Sequence, residues 1–328
     1  MRHVARFATG TVWLACLCLM GIACPQRSEA DGIMISRHDL GWEGRNITEV
    51  DQKAALFFDA NTEDLVISPG FRGSATEFAW VVPVPSRPRV SIVKGALFHD
   101  LARLVFPEPP PIVNSNLDAA AQPAMRAKGV EVLERKTEGA YDVTVLRSDD
   151  PSALLTWLKT NKYQLPAAAR EPMQWYIDRH WTFVAARVKT PGIAHGLATG
   201  TLAPLRLRFP TSTPVYPMRL SSANANPFNL LVYVVIPDPI EASALRGPRN
   251  GHGPAELRRQ DAPGTSTHRY YAGSVDTGRF PTLGRFTFSD VNIYVERRRL
   301  QPSECRDDFR WVPQVASSGT VSKWKSRR

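Results

Sequence analysis

Two stretches of this chain are apolar on both faces of an extended backbone, and they limit the possible folds more than any other feature. In Glu77-Phe78-Ala79-Trp80-Val81-Val82-Pro83-Val84-Pro85, the side chains of Phe78, Trp80, Val82 and Val84 project one way, and those of Ala79 and Val81 the other. Phe228 to Ile236 has the same character and reads as a central strand. A strand that is apolar on both sides must be covered on both, so it belongs in a sheet under a second layer. Pro83 and Pro85 lack the backbone donor and are expected to end the ladder or lie on its free side. Proline, at 27 residues, outnumbers glycine, at 21, which argues against long helical bundles and for many strand ends and turns.

The remaining periodicity fills in an α+β fold. Ala54–Phe58, the turn-like Asp59-Ala60-Asn61-Thr62 and Leu65–Ile67 predict a β-hairpin. Leu205-Arg206-Leu207-Arg208-Phe209 alternates, which predicts a half-exposed strand with both arginines outward. Trp181–Val188, Phe286–Phe288 and Val291–Val295 are further strand signals. Apolar residues at 97, 98, 101, 104 and 105 give a helix that stops at Pro107. Asp150 is a helix N-cap with Pro151 at the first helical position, Leu154, Leu155 and Leu158 inward and Trp157 beside them. A second helical stretch restarts at Pro172 and runs to about Arg179. The expected architecture is mostly antiparallel β-sheet, sandwich-like, with a helical hairpin inserted around residues 150–179. Pro107 to Gly129 reads as a linker, Pro237 to Arg269 as a long outer loop, and residues 301–328 as a polar, basic tail. Residues 31–300 then form a single large domain.

The first 30 residues read as an export signal. Arg2 and Arg6 precede the uncharged run Phe7–Ala23, and Ser28-Glu29-Ala30 puts small residues where a signal peptidase reads. Cleavage between Ala30 and Asp31 is expected, giving an exported protein in the periplasm or outside the cell, with no transmembrane helix in the mature chain. Two alternatives stand beside it. Ala23-Cys24 could carry a lipid anchor on Cys24, although Gly21 and Pro25 fit that signal poorly. An uncleaved anchor would have only the 17 residues from Phe7 to Ala23, the lower limit for a bilayer. Cleavage removes Cys16, Cys18 and Cys24, so Cys305 alone remains, buried, in the tail or paired between chains, and a disulfide framework is excluded.

The net charge of +10 becomes +8 when Arg2, Arg6, Arg27 and Glu29 leave with the signal. The arginines are spread along the chain apart from Arg297-Arg298-Arg299. Nucleic acid is not an expected partner of an exported chain; the excess charge reads first as a solvated basic surface, with weak attraction to anionic envelope polymers as the alternative, and the partner is left open.

A search for chemistry returns little. Among His38, His99, His180, His195, His252 and His268, none has metal-ligand spacing, so no metal or other cofactor is expected. His180 reads as a solvent-facing residue at a strand end. There is no Gly-x-Ser-x-Gly elbow, and Cys305 with a distant histidine is a poor nucleophile pair. Asp149-Asp150 is explained by capping, and Trp80, Trp157, Trp175 and Trp181 by core packing rather than a ligand cleft. No catalytic residue is assigned.

Glu77–Ser86 with Ala96-Leu97-Phe98 is followed in order by Val143–Leu146, Trp157-Leu158, Tyr163-Gln164-Leu165-Pro166, Tyr176-Ile177, Phe183–Ala185, Pro204–Leu207 and Val215-Tyr216-Pro217-Met218-Arg219-Leu220. In these stretches taken together the chain resembles the bacterial family called domain of unknown function 2330. Phe78, Trp80, Pro83, Pro85, Trp157, Tyr163, Tyr216 and Pro217 have the chemistry of a fold signature. Asp31-Gly32-Ile33-Met34 stands where many members carry a cysteine pair. The resemblance implies an exported bacterial protein without an assigned reaction. The expected function is a non-catalytic binding or structural module of the cell envelope, with a periplasmic hydrolase assembled from distant residues as the alternative.

N-terminal sequencing of the exported form should begin at Asp31; an intact Met1 or a lipid-modified Cys24 would contradict the signal reading.

Overall fold

The computed structural model describes residues 33–36, 48–59, 61–72, 77–94, 96–106, 129–139, 141–161, 165–189, 199–201, 203–237, 257–259, 266–287 and 290–313. The expected signal peptide, Tyr163, His38, His195 and His252 lie outside them, as do the side chain of Phe78 and residues 314–328. In chain order the strands are β1 (Ile33–Ser36), β2 (Thr48–Asp59), β3 (Thr62–Arg72), β4 (Glu77–Val84), β5 (Arg89–Ile92), β6 (Glu131–Glu138), β7 (Tyr141–Arg147) and β8 (Thr182–Lys189). They continue with β9 (Thr199–Thr201), β10 (Leu205–Pro210), β11 (Val215–Tyr216), β12 (Phe228–Pro237), β13 (Leu257–Arg259), β14 (Ser266–Gly273), β15 (Val291–Leu300) and β16 (Phe309–Pro313). The helices are α1 (Leu97–Val105), α2 (Pro151–Thr160) and α3 (Arg170–Ile177). Strands dominate, as expected of a mostly β member of the α+β class.

The smaller sheet has the order β1-β4-β8-β7-β6 and is antiparallel throughout. The larger runs β11-β16-β13-β14-β15-β12-β2-β3-β10-β5, with β9 also on β3. Within it β12 and β2 pair in parallel, and the other described pairs are antiparallel. The predicted hairpin closes at Asp59 and Thr62.

Alternation sorts the long strands of the larger sheet onto two cores. Ala54, Leu56 and Phe58 of β2, with Leu230, Val232 and Val234 of β12, join one buried cluster. That cluster also holds Trp80, Val82 and Val84 of β4, Val143 and Val145 of β7, and Phe183 of β8, so both sheets contribute to it. Ala55, Phe57, Tyr233 and Val235 point the other way, into a second cluster with Leu97, Leu101 and Val105 of α1 and with Phe280 and Leu283. A slip of one residue would exchange the two sets, and burial of each large side chain stabilises by about 1.5–3 kcal/mol, so the register is strongly specified.

Local signals hold where a short-range contact carries them. The Asp150 carboxylate accepts from the Ser152 N–H at 2.8 Å and caps α2. Leu154, Trp157 and Leu158 are buried and Leu155 packs at the edge. α1 stops before Pro107. α3 starts two residues ahead of the expected restart, with Pro172 in its first turn, where its missing donor costs nothing. β1 pairs only with Phe78–Val81, so Pro83 lies past the end of that ladder and Pro85 past the end of β4. Arg206 and Arg208 do point outward, but both bond Asp64, at 2.7 and 2.8 Å.

Three expectations need correction. Phe286 is no strand residue: its N–H closes a 3₁₀ turn on the Leu283 carbonyl at 2.9 Å, and its ring stacks on Phe57 with centroids 4.5 Å apart. The segment from Pro237 to Arg269 is not one outer loop, since it contains β13 and the start of β14; residues 238–256 and 260–265 lie outside the described set. The cause is a buried charge. Arg259 points inward, pairs with Glu296 at 3.2 Å and stacks 3.3 Å over Phe309, so a core position reads as a polar one. Residues 302–313 are not a polar tail. β16 pairs with β11 and β13, and Cys305, Phe309 and Trp311 are buried.

Trp311→Ala should therefore lower stability by about 3–5 kcal/mol, the range for emptying a buried aromatic site. Urea denaturation followed by circular dichroism measures it, and a loss below about 1 kcal/mol would mean β16 is a dispensable edge.

Candidate functional site

The segment from Pro214 to Ala223 crosses the interior between two prolines. Pro214 and Pro217 flank β11 and hold it to two residues, after which the chain winds into a 3₁₀ turn at Arg219–Ala223. Its polar groups meet buried partners. Tyr216 Oη donates to Gln52 Oε1 at 2.8 Å, and Gln52 Nε2 donates to Ser221 Oγ at 3.4 Å. The Val215 N–H donates to Glu63 Oε2 at 2.8 Å.

The densest node is Asp308, just before β16. Its Oδ1 accepts from Tyr176 Oη of α3 at 2.5 Å, and from the backbone N–H groups of Met218 and Arg219 at 2.9 and 3.3 Å. The Arg219 N–H is shared with Tyr176 Oη, at 3.1 Å. One carboxylate oxygen thus ties three chain segments together. Burial pushes the Asp308 carboxyl above its ordinary range, opposed by the Tyr176 and backbone hydrogen bonds and by the Arg310 charge. Burial also pushes Glu63 well up, opposed by the Val215 N–H and Arg310. Glu63 Oε1 and Asp308 Oδ2 have no hydrogen-bond partner among the described residues. Raised carboxyls are candidates for acid–base work, but neither residue lines the adjoining cleft.

That cleft is an open cavity of about 850 Å³, walled by the same three segments. The turn leading into α3 and its first residues supply Arg170 and Glu171, the 3₁₀ turn supplies Arg219 and Ser222, and the approach to β16 supplies Cys305 and Arg306. The Arg219 guanidinium carbon lies 4.0 Å from the Trp175 ring centroid, and Arg219 Nη2 donates to Asp307. Arg179 sits 3.9 Å from the same ring. Arg170 Nη2 donates to Ser152 Oγ at 3.2 Å, and Arg306 Nε to the Ser303 carbonyl at 3.1 Å.

The cleft does not assemble a nucleophile. Burial pushes the Cys305 thiol up to about 12, helped by the Glu304 charge, so it stays protonated. His99, His180 and His268 lie elsewhere, and among the described residues no three His, Cys, Asp or Glu side chains converge as metal ligands. His180 is exposed at φ 56°, and its N–H bonds the Ile177 carbonyl at 2.8 Å, so it serves as the left-handed residue that ends α3. The signature residues Trp80, Pro83, Trp157, Tyr216 and Pro217 occupy buried positions, and Pro85 a half-buried one. Trp181 is buried too, while Trp175 is half-buried beside the cleft wall.

Arg170, Arg306 and Asp308 carry no signal in the sequence, and Arg219 stands out there only as part of the family-like stretch Val215–Leu220. The alternation of Phe309 and Trp311 around Arg310 was the signal that could have exposed β16, and with it the third wall.

The buried acids give stability a pH dependence. The folded pKa of Glu63 lies above the unfolded one, so the unfolded chain gives up this proton first. Its stabilising contribution is complete below about pH 4 and is lost as pH rises through the folded value. Denaturant midpoints measured from pH 4 to 8 should fall more steeply for the wild type than for Glu63→Gln, and equal slopes would show that Glu63 titrates normally.

The sequence model of a bacterial family described as "uncharacterized protein conserved in bacteria", DUF2330, matches residues 41–281. No curated protein matches the chain. Among solved structures, the crystal structure of baculovirus P35 is similar at 10% identity with a TM-score of 0.34, over 82% of this chain and 92% of that one. A likeness that weak carries no argument here. The third wall of the cleft, at 302–306, lies beyond the family match.

Proposed function

Starting from the fact that the chain belongs to the DUF2330 family, we propose that it is an exported cell-envelope protein that works by binding rather than catalysis, and that the cleft beside α3 is where it binds. The carrying observation is the cleft's inventory: three arginines, and no histidine or ionised thiol. A periplasmic hydrolase would bring histidines and carboxylates together in a cleft. The described histidines stand away from this one. An open cleft walled by three chain segments, its arginines set among alanine and proline, suits a ligand held by several weak contacts.

The finer architecture belongs to the same proposal. Residues 31–313 act as one sandwich-like domain, because one buried cluster draws on both sheets, and α2 with α3 forms a short helical hairpin packed on it. The signal ends at Ala30, and the mature chain meets its ligand in the periplasm or outside the cell.

Ser303 is exposed on the cleft wall, so Ser303→Trp should obstruct the cleft without disturbing the core. Retention of the mature protein on a washed bacterial envelope preparation should fall several-fold in this variant, with an unchanged thermal midpoint. Retention equal to wild type would place binding elsewhere.

A further inference from the structure

We infer that the cleft is an anion site whose ligand is a hydrophilic polymer carrying a carboxylate or phosphate on successive units. The inference rests on the reading of the cleft as the binding surface and adds the chemistry it selects. Arg170, Arg219 and Arg306 come from three separate chain segments onto one open cavity, against a single lining carboxylate, Glu171. Arginines distributed in this way can engage several anionic groups at once, whereas a lone surface arginine engages one. Guanidinium forks match carboxylate and phosphate oxygens, and charge-assisted hydrogen bonds of this kind are about twice as strong as neutral ones.

The three groups are also held in advance. Arg219 is fixed by the Trp175 ring and Asp307, Arg170 by Ser152, and Arg306 by the Ser303 carbonyl. Groups already ordered lose less entropy when a ligand arrives. Arg219 Nε is buried with no acceptor among the described residues, so its guanidinium is short of a partner. Asp307 offsets part of the Arg219 charge, which leaves Arg170 and Arg306, both exposed, as the principal contacts.

The surroundings disfavour an apolar ligand or a membrane. Among the described residues Tyr270 is the one large hydrophobic side chain that is exposed, and it does not line the cleft. The apolar lining of the cleft is the short side chains of Ala167, Ala168, Pro172 and Pro302, with no long aliphatic or aromatic residue to anchor an acyl chain or an inserting surface.

The test titrates the mature protein with polygalacturonate and with polyphosphate by calorimetry at low salt, and with phosphatidylglycerol vesicles in a sedimentation assay. Binding of either polymer is expected, weakening as sodium chloride is raised. Which polymer binds tells carboxylate from phosphate. The double variant Arg170→Ala/Arg306→Ala should weaken it about tenfold or more, while Arg279→Ala/Arg285→Ala, remote from the cleft, should not. Failure of both polymers to bind, undiminished binding by the first double variant, or binding to vesicles alone would overturn the inference. Envelope retention separates the two proposals. Loss in Ser303→Trp but not in Arg170→Ala/Arg306→Ala would overturn the anion chemistry and leave the cleft standing; full retention in Ser303→Trp would remove the cleft itself.

Discussion

The Asp308 carboxylate is the contact on which the rest of this end of the molecule depends. Taking a carboxylate out of water costs several kcal/mol unless its lone pairs are met. Here one oxygen meets a tyrosine hydroxyl from α3 and two backbone amides from the 3₁₀ turn after Pro217. Those donors belong to segments far apart in sequence, and the carboxylate stands at the entry to β16. The cleft walls are the surface continuation of the same three segments, so the spacing of Arg170, Arg219 and Arg306 is set by a bond none of them makes through its side chain.

A second buried polar group pins the same strand from its other side. Glu296 of β15 accepts from Arg259 Nη1 of β13 at 3.2 Å and from Thr267 Oγ1 of β14 at 3.0 Å, and Trp311 Nε1 of β16 donates to that threonine oxygen at 3.0 Å. β16 has five residues and two large buried ones, Phe309 and Trp311. So short an apolar pattern fixes register weakly. Directional bonds at Asp308 and Thr267 supply what the pattern lacks, because a shift of one residue would leave buried polar groups unpaired.

Much of the fold was legible because its signals are local or periodic. The hairpin at Asp59–Thr62, the Asp150 cap, the end of α1 before Pro107 and the two-sided burial of β12 each follow from a few neighbouring residues. Two of the three failures share one cause. Arg259 and Asp308 are charged residues at interior positions, and composition reads such residues as surface. Phe286 fails for the opposite reason: its alternation with Phe288 looks like a strand, but its ring is committed to Phe57 across the second core.

Sequence alone determined the class of the fold, the strands that must be covered on both faces, the end of α1, the start of α2 and the family, since each depends on the residue type at fixed short spacing. The tertiary structure decided that 302–313 belongs to the sheet, that Cys305 is buried, and that three arginines spread over 136 positions of chain, from Arg170 to Arg306, share one cleft. Charges at such separations have no period to betray them. They meet only because a buried carboxylate, itself disguised as a tail residue, finds its hydrogen-bond donors on distant segments.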